Sequence, residues 1–301
     1  MTRAPAPFPL ERLADIPERP EDFRLLERIP LTREPQSWPL ELSPVVGDEQ
    51  PMVLLDTETT GLSADDESII ELGMVKVLYS PSAKRIVSIV DVISLYEDPG
   101  KPIPELITEL TGITDEMVQG QRIDDLLVAS WLSDDPLVVA HNAQFDRPFF
   151  ENRFGALGHL SWACSASGID WKALGFESRK LEYLLLRLGW FYEGHRAATD
   201  CLAMAWLFHL LPESVANLLS EADRRTVLVR AFGAPFDVKD YLKERGYRWH
   251  DGVKGANKHW WREISEDELP QEQTYLDDLY HRGSEHAHYD YKDARNRFKA
   301  L

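Results

Sequence analysis

Three apolar runs spaced closely after residue 50 limit the possible folds more than any other part of the chain. Met52–Leu55 is a compact apolar stretch that ends on Asp56, the pattern of a buried strand. Ile69–Tyr79 and Arg85–Leu95 are β-branched runs separated only by the Ser-Pro-Ser-Ala of residues 80–83, which predicts a hairpin. Three consecutive antiparallel strands are therefore expected. Beyond them Leu137–Ala140 reads as a short buried strand, and a strand-like stretch lies near Cys164. Helices are predicted at Pro104–Leu110, Asp115–Gln119, Ile123–Leu132, Gln144–Phe154, Lys180–Leu188 and Arg196–Leu211, several of them from apolar residues at helical spacing. The sum is a mixed α/β sheet with helices packed on its faces.

The flanks have a different texture. Residues 1–50 hold nine of the 19 prolines, six arginines and ten acidic residues, which suits an extended arm with one short helix near Pro20–Arg28. Whether the arm packs on the main domain is open at this level. A second unit, 221–301, follows the main domain, 51–212. Within it Thr226–Ala231 alternates like a strand and Asp237–Arg245 resembles a helix stopped by Gly246. Tyr247–His250 and His259–Arg262 read as strands around a Gly-rich turn, a small β-α-β-β module. The acidic tail beyond Glu263 reads as helices, with Tyr275, Leu276, Leu279 and Tyr280 turned inward.

At 301 residues there is room for one large domain or, more comfortably, two. A hydrophobic share of 44% with 28% charged residues suits a globular chain. No apolar run reaches the ~20 residues of a membrane span, and the N-terminus carries no basic-then-apolar leader. The two cysteines, Cys164 and Cys201, exclude a disulfide framework and a cysteine-based zinc site, and point to a reducing cytoplasm.

Four carboxylates and a histidine are the candidate chemistry. Asp56 and Glu58 lie two apart along a strand, so both side chains leave the same face. Anions that close repel unless cations lie between them, and oxygen ligands suit Mg²⁺ or Mn²⁺. Taken alone, an Asp-x-Glu pair is usually a solvated edge. This pair, however, follows a buried strand and precedes the tight turn Thr59-Thr60-Gly61-Leu62, where backbone amides can approach a ligand. Asp146 falls in the first turn of a helix, as a capping residue or as a ligand. Asp200 sits on a helix whose core-facing surface is otherwise apolar, a costly place for a carboxylate without a partner or a metal. His195, five residues earlier, belongs in the preceding loop, over the site and not among the ligands.

In order, the segments D-T-E-T-T-G-L, H-N-A-Q-F-D and H-R-A-A-T-D resemble the three motifs of the four-acid-plus-histidine (DEDDh) 3′→5′ exonucleases, the family of the polymerase III epsilon proofreading subunit and RNase T. The likeness spans roughly residues 52–212 and includes L-T-G-I-T-D-E-M-V between the motifs. It implies an RNase H-like sheet and catalysis with two divalent metal ions, Mg²⁺ or Mn²⁺. By that resemblance Asp56 bridges both ions, Glu58 and Asp200 complete the one that binds the attacking water, and Asp146 helps hold the other. His195 takes the proton from the water, work that a histidine's ordinary pKa of about 6.5 allows near neutral pH. Thr59, Gly61 and Leu62 in the turn are the expected contacts to the terminal nucleotide, with Leu62 as a wedge. Asn142 and Phe145 are candidates for the penultimate one, although Phe145 reads more simply as a core residue.

A net charge of −18 argues at first against a nucleic-acid partner, but bound cations reverse the local field of a carboxylate cluster. Residues 224–262 also reverse the sign, with ten basic residues against four acids. Tyr247, Trp249, Trp260 and Trp261 are interleaved there, as a stacking platform for unpaired bases or as the core of a small domain. The expected partner is the 3′ end of single-stranded or frayed DNA, with RNA the alternative, and a DNA polymerase or repair partner is in keeping with the resemblance. A docking subunit without catalysis is a third reading, against which the intact carboxylates count.

Overall fold

The computed structural model describes residues 9–32, 36–252 and 257–299. The chain divides into two compact units, one running up to Glu221 and including Phe298, the other Ala222–Arg297.

The first unit is built on a six-stranded sheet. Its strands in chain order are β1 (Leu40–Glu41), β2 (Gln50–Thr59), β3 (Ile69–Ser80), β4 (Arg85–Tyr96), β5 (Leu137–Ala140) and β6 (Trp162–Cys164). Across the sheet they run β1-β4-β3-β2-β5-β6. Strand β3 runs antiparallel to both β2 and β4, and β5 and then β6 add beside β2 in parallel. This is the mixed sheet expected from the sequence. Met52, Val53, Leu54 and Leu55 are all fully buried, as a central strand covered on both faces requires.

Helices α1 (Glu105–Thr111), α2 (Asp115–Val118), α3 (Asp125–Trp131), α4 (Ala143–Arg153), α5 (Leu181–Arg187) and α6 (Ala197–Leu210) flank it. They lie within two residues of the predicted bounds at each end. The side chain of Asp124 accepts from the Leu126 and Leu127 N–H groups and so fixes where α3 begins. Helix α6 is buried on nearly every side, from Ala197 through Phe208. It is a core helix, not a half-exposed one.

The Pro-rich arm packs as part of the first unit. Ile29 is fully buried and Leu31 nearly so. Leu40–Glu41 pairs with Ile89 and Ser88 and so covers the edge of β4, while Glu27–Arg28 pairs with Trp190–Phe191. The helix expected at Pro20–Arg28 shrinks to the single turn Pro20–Asp22, with a helical turn at Asp15–Glu18 ahead of it.

The second unit is a four-stranded antiparallel sheet, with β7 (Thr226–Ala231), β8 (Arg248–His250), β9 (His259–Ser265) and β10 (Ala287–Lys292) in the order β8-β9-β7-β10. Strand β10 corrects the helical reading of the tail. Tyr289 and Tyr291 alternate with His288 and Asp290, a period of two that pairs with β7. Helix α7 (Leu269–Leu279) covers the sheet, with Leu276 and Tyr280 buried in its core. Of the four aromatics read as a stacking platform, Tyr247 and Trp260 belong to that core. Trp249 is 50% exposed. The Gly-rich turn 253–256, with Lys254, lies outside the described residues. Among the described residues no single helix is long and apolar enough to cross a membrane.

Candidate functional site

Strand β2 presents Asp56 and Glu58 on one face, opposite Gly73 and Glu71 of β3. The N-terminal turn of α6 crosses that same face. A Cβ on Gly73 would lie 2.2 Å from the Ala197 carbonyl carbon, so only glycine lets the helix come this near the sheet. The Cys201 thiol lies 3.6 Å from the Gly73 carbonyl oxygen, at the same contact. That approach sets Asp200 beside Asp56. Gly73→Ala should therefore destabilise the protein by about 1–3 kcal/mol or more through overpacking, measured as a lower midpoint in urea unfolding. An unchanged midpoint would show that the helix can shift at no cost.

Carboxylate oxygens of Asp56, Glu58 and Asp200 all lie within 4.8 Å of one another. Asp146 reaches the group from the first turn of α4, just beyond β5. It does not cap its own helix. Its Oδ1 accepts from the Thr57 N–H (3.1 Å) and the Thr57 hydroxyl (2.9 Å), so it faces β2. Asp200 is aimed from both sides: the Tyr192 hydroxyl donates to Oδ1 at 2.9 Å and the Arg196 N–H donates to Oδ2 at 3.1 Å. His195 is exposed, immediately ahead of α6, with φ +64°.

A cavity of about 170 Å³ joins these groups, lined among others by Asp56, Glu58, Asp146, His195 and Asp200. All five residues predicted to carry the chemistry thus meet in one place. Asn142 and Phe145 line the cavity as well. Phe145 also packs on the core, with its ring 5.0 Å from that of Phe149, as its simpler reading expects. Thr59, Gly61 and Leu62 are not on the cavity wall. The Thr59 hydroxyl donates to the Gly61 carbonyl at 2.6 Å and braces the turn, and a Cβ on Gly61 would press on the Glu67 side chain at 2.9 Å. Leu62 is 88% exposed.

The electrostatics are those of crowded anions. Burial, and then the charges of Asp146, Asp200 and Glu58, hold the Asp56 carboxyl well above the usual carboxylate range. Glu58 is pushed up to about 8, by burial first and then by Asp200, Glu71 and Asp146. Asp146 is pushed up to about 7 by burial, against the opposing pull of the Thr57 hydrogen bonds. Asp200 is raised by burial and held down in part by Tyr192 and Arg196. Carboxylates that resist ionising together are the donor set a divalent cation satisfies, and all of these donors are hard oxygens. Beside them His141 is pushed down to about 4 by burial. Its Nε2 lies 2.7 Å from the Arg179 carbonyl oxygen, which can only accept, so Nε2 carries the proton and Nδ1 accepts from the Ser165 hydroxyl at 2.7 Å. His141 is therefore a neutral wall of the cavity.

Thr57, Gly73, Tyr192, Glu71 and His141 escaped the sequence reading. Two of them left a signal. A glutamate and a glycine inside the apolar run Ile69–Tyr79 are both costly to a strand unless something approaches them.

The RNase_T family, described as exonuclease, matches residues 53–208. The DNA polymerase III PolC-type protein of Bacillus subtilis (strain 168) is 35% identical over 170 residues, covering 53% of this chain and 11% of that protein. Its counterpart from Thermotoga maritima is 30% identical over 191 residues, covering 57% of this chain and 13% of that one. The chain thus spans little more than a tenth of the length of these curated relatives. Among solved structures, exonuclease X in complex with 5′-overhanging duplex DNA aligns at a TM-score of 0.41 and 23% identity, over 55% of this chain and 91% of that one. That likeness is loose.

Proposed function

The chain belongs to the RNase_T exonuclease family, and from that premise we propose that it hydrolyses DNA from single-stranded or frayed 3′ ends, releasing nucleoside monophosphates with the help of two divalent ions. The observation that carries this reading is the convergence of Asp56, Glu58, Asp146 and Asp200, with His195 beside them, on one small cavity. The similarity to PolC-type DNA polymerase III proteins supports DNA over RNA, and RNA remains the second reading because these motifs serve both.

Asp56, Glu58 and Asp200 fit one ion, their oxygens already gathered within 4.8 Å, and Asp146 would hold a second with Asp56. When bound, such ions stabilise the charge on the attacking and leaving oxygens of an in-line displacement. The chain's own residues do the rest. Tyr192 and the Arg196 N–H fix the plane of the Asp200 carboxylate, and Thr57 fixes that of Asp146. His195, free of the ligand set and open to solvent, accepts the proton of the water that attacks phosphorus as the P–O bond to the 3′ oxygen breaks. Leu62, exposed in the turn after β2, would wedge under the terminal base. Phe145, on the cavity wall, would meet the next nucleotide.

End-labelled single-stranded DNA and RNA of matched sequence test this. The expected result is a ladder of shortened DNA products with Mg²⁺ or Mn²⁺ and none after chelation. His195→Ala should slow the ladder by about 10²- to 10⁴-fold, the usual contribution of a general base, while Mn²⁺ binding by electron paramagnetic resonance persists. Digestion of RNA alone would overturn the choice of substrate. A His195→Ala protein that loses Mn²⁺ would make His195 a ligand and not the base.

A further inference from the structure

Glu71 is 1% exposed in the interior of β3 and faces Glu58 across the sheet. It shares their face but stands outside the group of carboxylates that could hold an ion. Its oxygens are occupied instead. Oε1 accepts from the Ser94 hydroxyl at 2.6 Å and from Arg196 Nη2 at 3.3 Å. Oε2 accepts from Arg196 Nε at 3.0 Å and from the Ala197 N–H at 3.2 Å. A carboxylate offers about four lone-pair sites, and here each has a donor. The Arg196 guanidinium also bonds the Tyr96 hydroxyl.

These bonds converge on a strained segment. His195 holds φ +64°, a left-handed conformation that is costly for a non-glycine residue and persists only where the surroundings impose it. Arg196 and Ala197, the two residues that follow, are those Glu71 grips. Arg196 in turn gives its N–H to Asp200. One buried carboxylate thus fixes the turn from which His195 projects. We infer that Glu71 is a positioning residue of this exonuclease site, acting through Arg196 and Ala197 to hold His195 over the carboxylates.

This inference rests on His195 as the base in the proposed function. The test compares Glu71→Gln, His195→Ala and the double variant by single-turnover cleavage of labelled single-stranded DNA, together with Mn²⁺ affinity by electron paramagnetic resonance and thermal unfolding by circular dichroism. Glu71→Gln should lower the cleavage rate by about tenfold to a hundredfold, the size of effect that misplacing a catalytic group by about an ångström produces. KM and Mn²⁺ affinity should stay near those of the wild type. The double variant should be no slower than His195→Ala alone, because the base that Glu71 positions is already gone. Additive losses, a wild-type rate for Glu71→Gln, or a fall in Mn²⁺ affinity would each overturn the inference. Should Glu71→Gln fail to fold, Arg196→Lys and Arg196→Ala decide it: lysine should recover part of the rate that alanine loses, and equal losses would refute the role. A fully active His195→Ala protein would instead bring down the proposed function. A slow His195→Ala protein beside a fully active Glu71→Gln protein would remove this inference alone.

Discussion

Asp200→Ala should abolish hydrolysis while leaving a folded protein whose melting temperature at neutral pH lies within a few degrees of the wild type. The loss of activity follows from geometry. Asp200 supplies one of the three carboxylates whose oxygens crowd within 4.8 Å, and a carboxylate there cannot be replaced by water without loosening the ion it helps hold. Losing several kcal/mol of transition-state stabilisation corresponds to a rate reduction of roughly a thousandfold or more. Two effects on stability oppose each other. The Tyr192 hydroxyl and the Arg196 N–H lose their acceptor, at about 1–3 kcal/mol for each buried donor left unmet. Against that, Asp56 and Glu58 lose a repelling neighbour. A product ladder with Mg²⁺ and a melting curve measure the two halves separately. Undiminished digestion by this variant would remove the site from Asp56, Glu58, Asp146 and Asp200 altogether.

The metal-free protein should lose stability as pH rises through neutrality, and Mg²⁺ should restore it. Glu58, raised to about 8, and Asp146, raised to about 7, keep their protons in the folded state at a pH where the unfolded chain has already released them. The folded state therefore binds more protons between the ordinary carboxylate range and about pH 8, so stability is greatest at the acid end and declines across that window. Divalent ions take the protons' place. Since binding to the folded state alone adds about 2.7 kcal/mol at a hundred times the dissociation constant, Mg²⁺ should raise the melting temperature by several degrees at pH 8 and far less at pH 5. Melting curves at those two pH values, with Mg²⁺ and with chelator, give the answer. A metal-free protein whose stability rises from pH 5 to 8 would mean that the carboxylates are not crowded as described.

Much of the site was legible because its parts are local. Asp56 and Glu58 share a face through the two-residue period of a strand, which is fixed without knowledge of any neighbour. Asp146 stands in the first turn of a helix that follows a buried strand, and Asp200 stands near the start of a helix whose core-facing surface is otherwise apolar. His195 had to lie off the helix because five residues would turn it away from Asp200. What stayed hidden was whatever depends on another element. Its own segment reads Asp146 more simply as a helix cap; what decides against that is Thr57, 89 positions away in sequence, which donates to it twice. Trp260 and Trp249 look alike in the sequence, yet one is core and the other half exposed. Strand β10 went unread because a six-residue alternation among charged and aromatic residues is too short to outweigh the helical texture before it.

The sequence by itself determined the run of three antiparallel strands, the face on which the acids stand and the chemistry they suit, because periodicity and residue type are properties of the chain alone. Only the tertiary structure decided how those acids are aimed. That depends on a helix laid against Gly73 and on Thr57 reaching Asp146 from 89 positions away, contacts between segments far apart in the chain that no local pattern encodes.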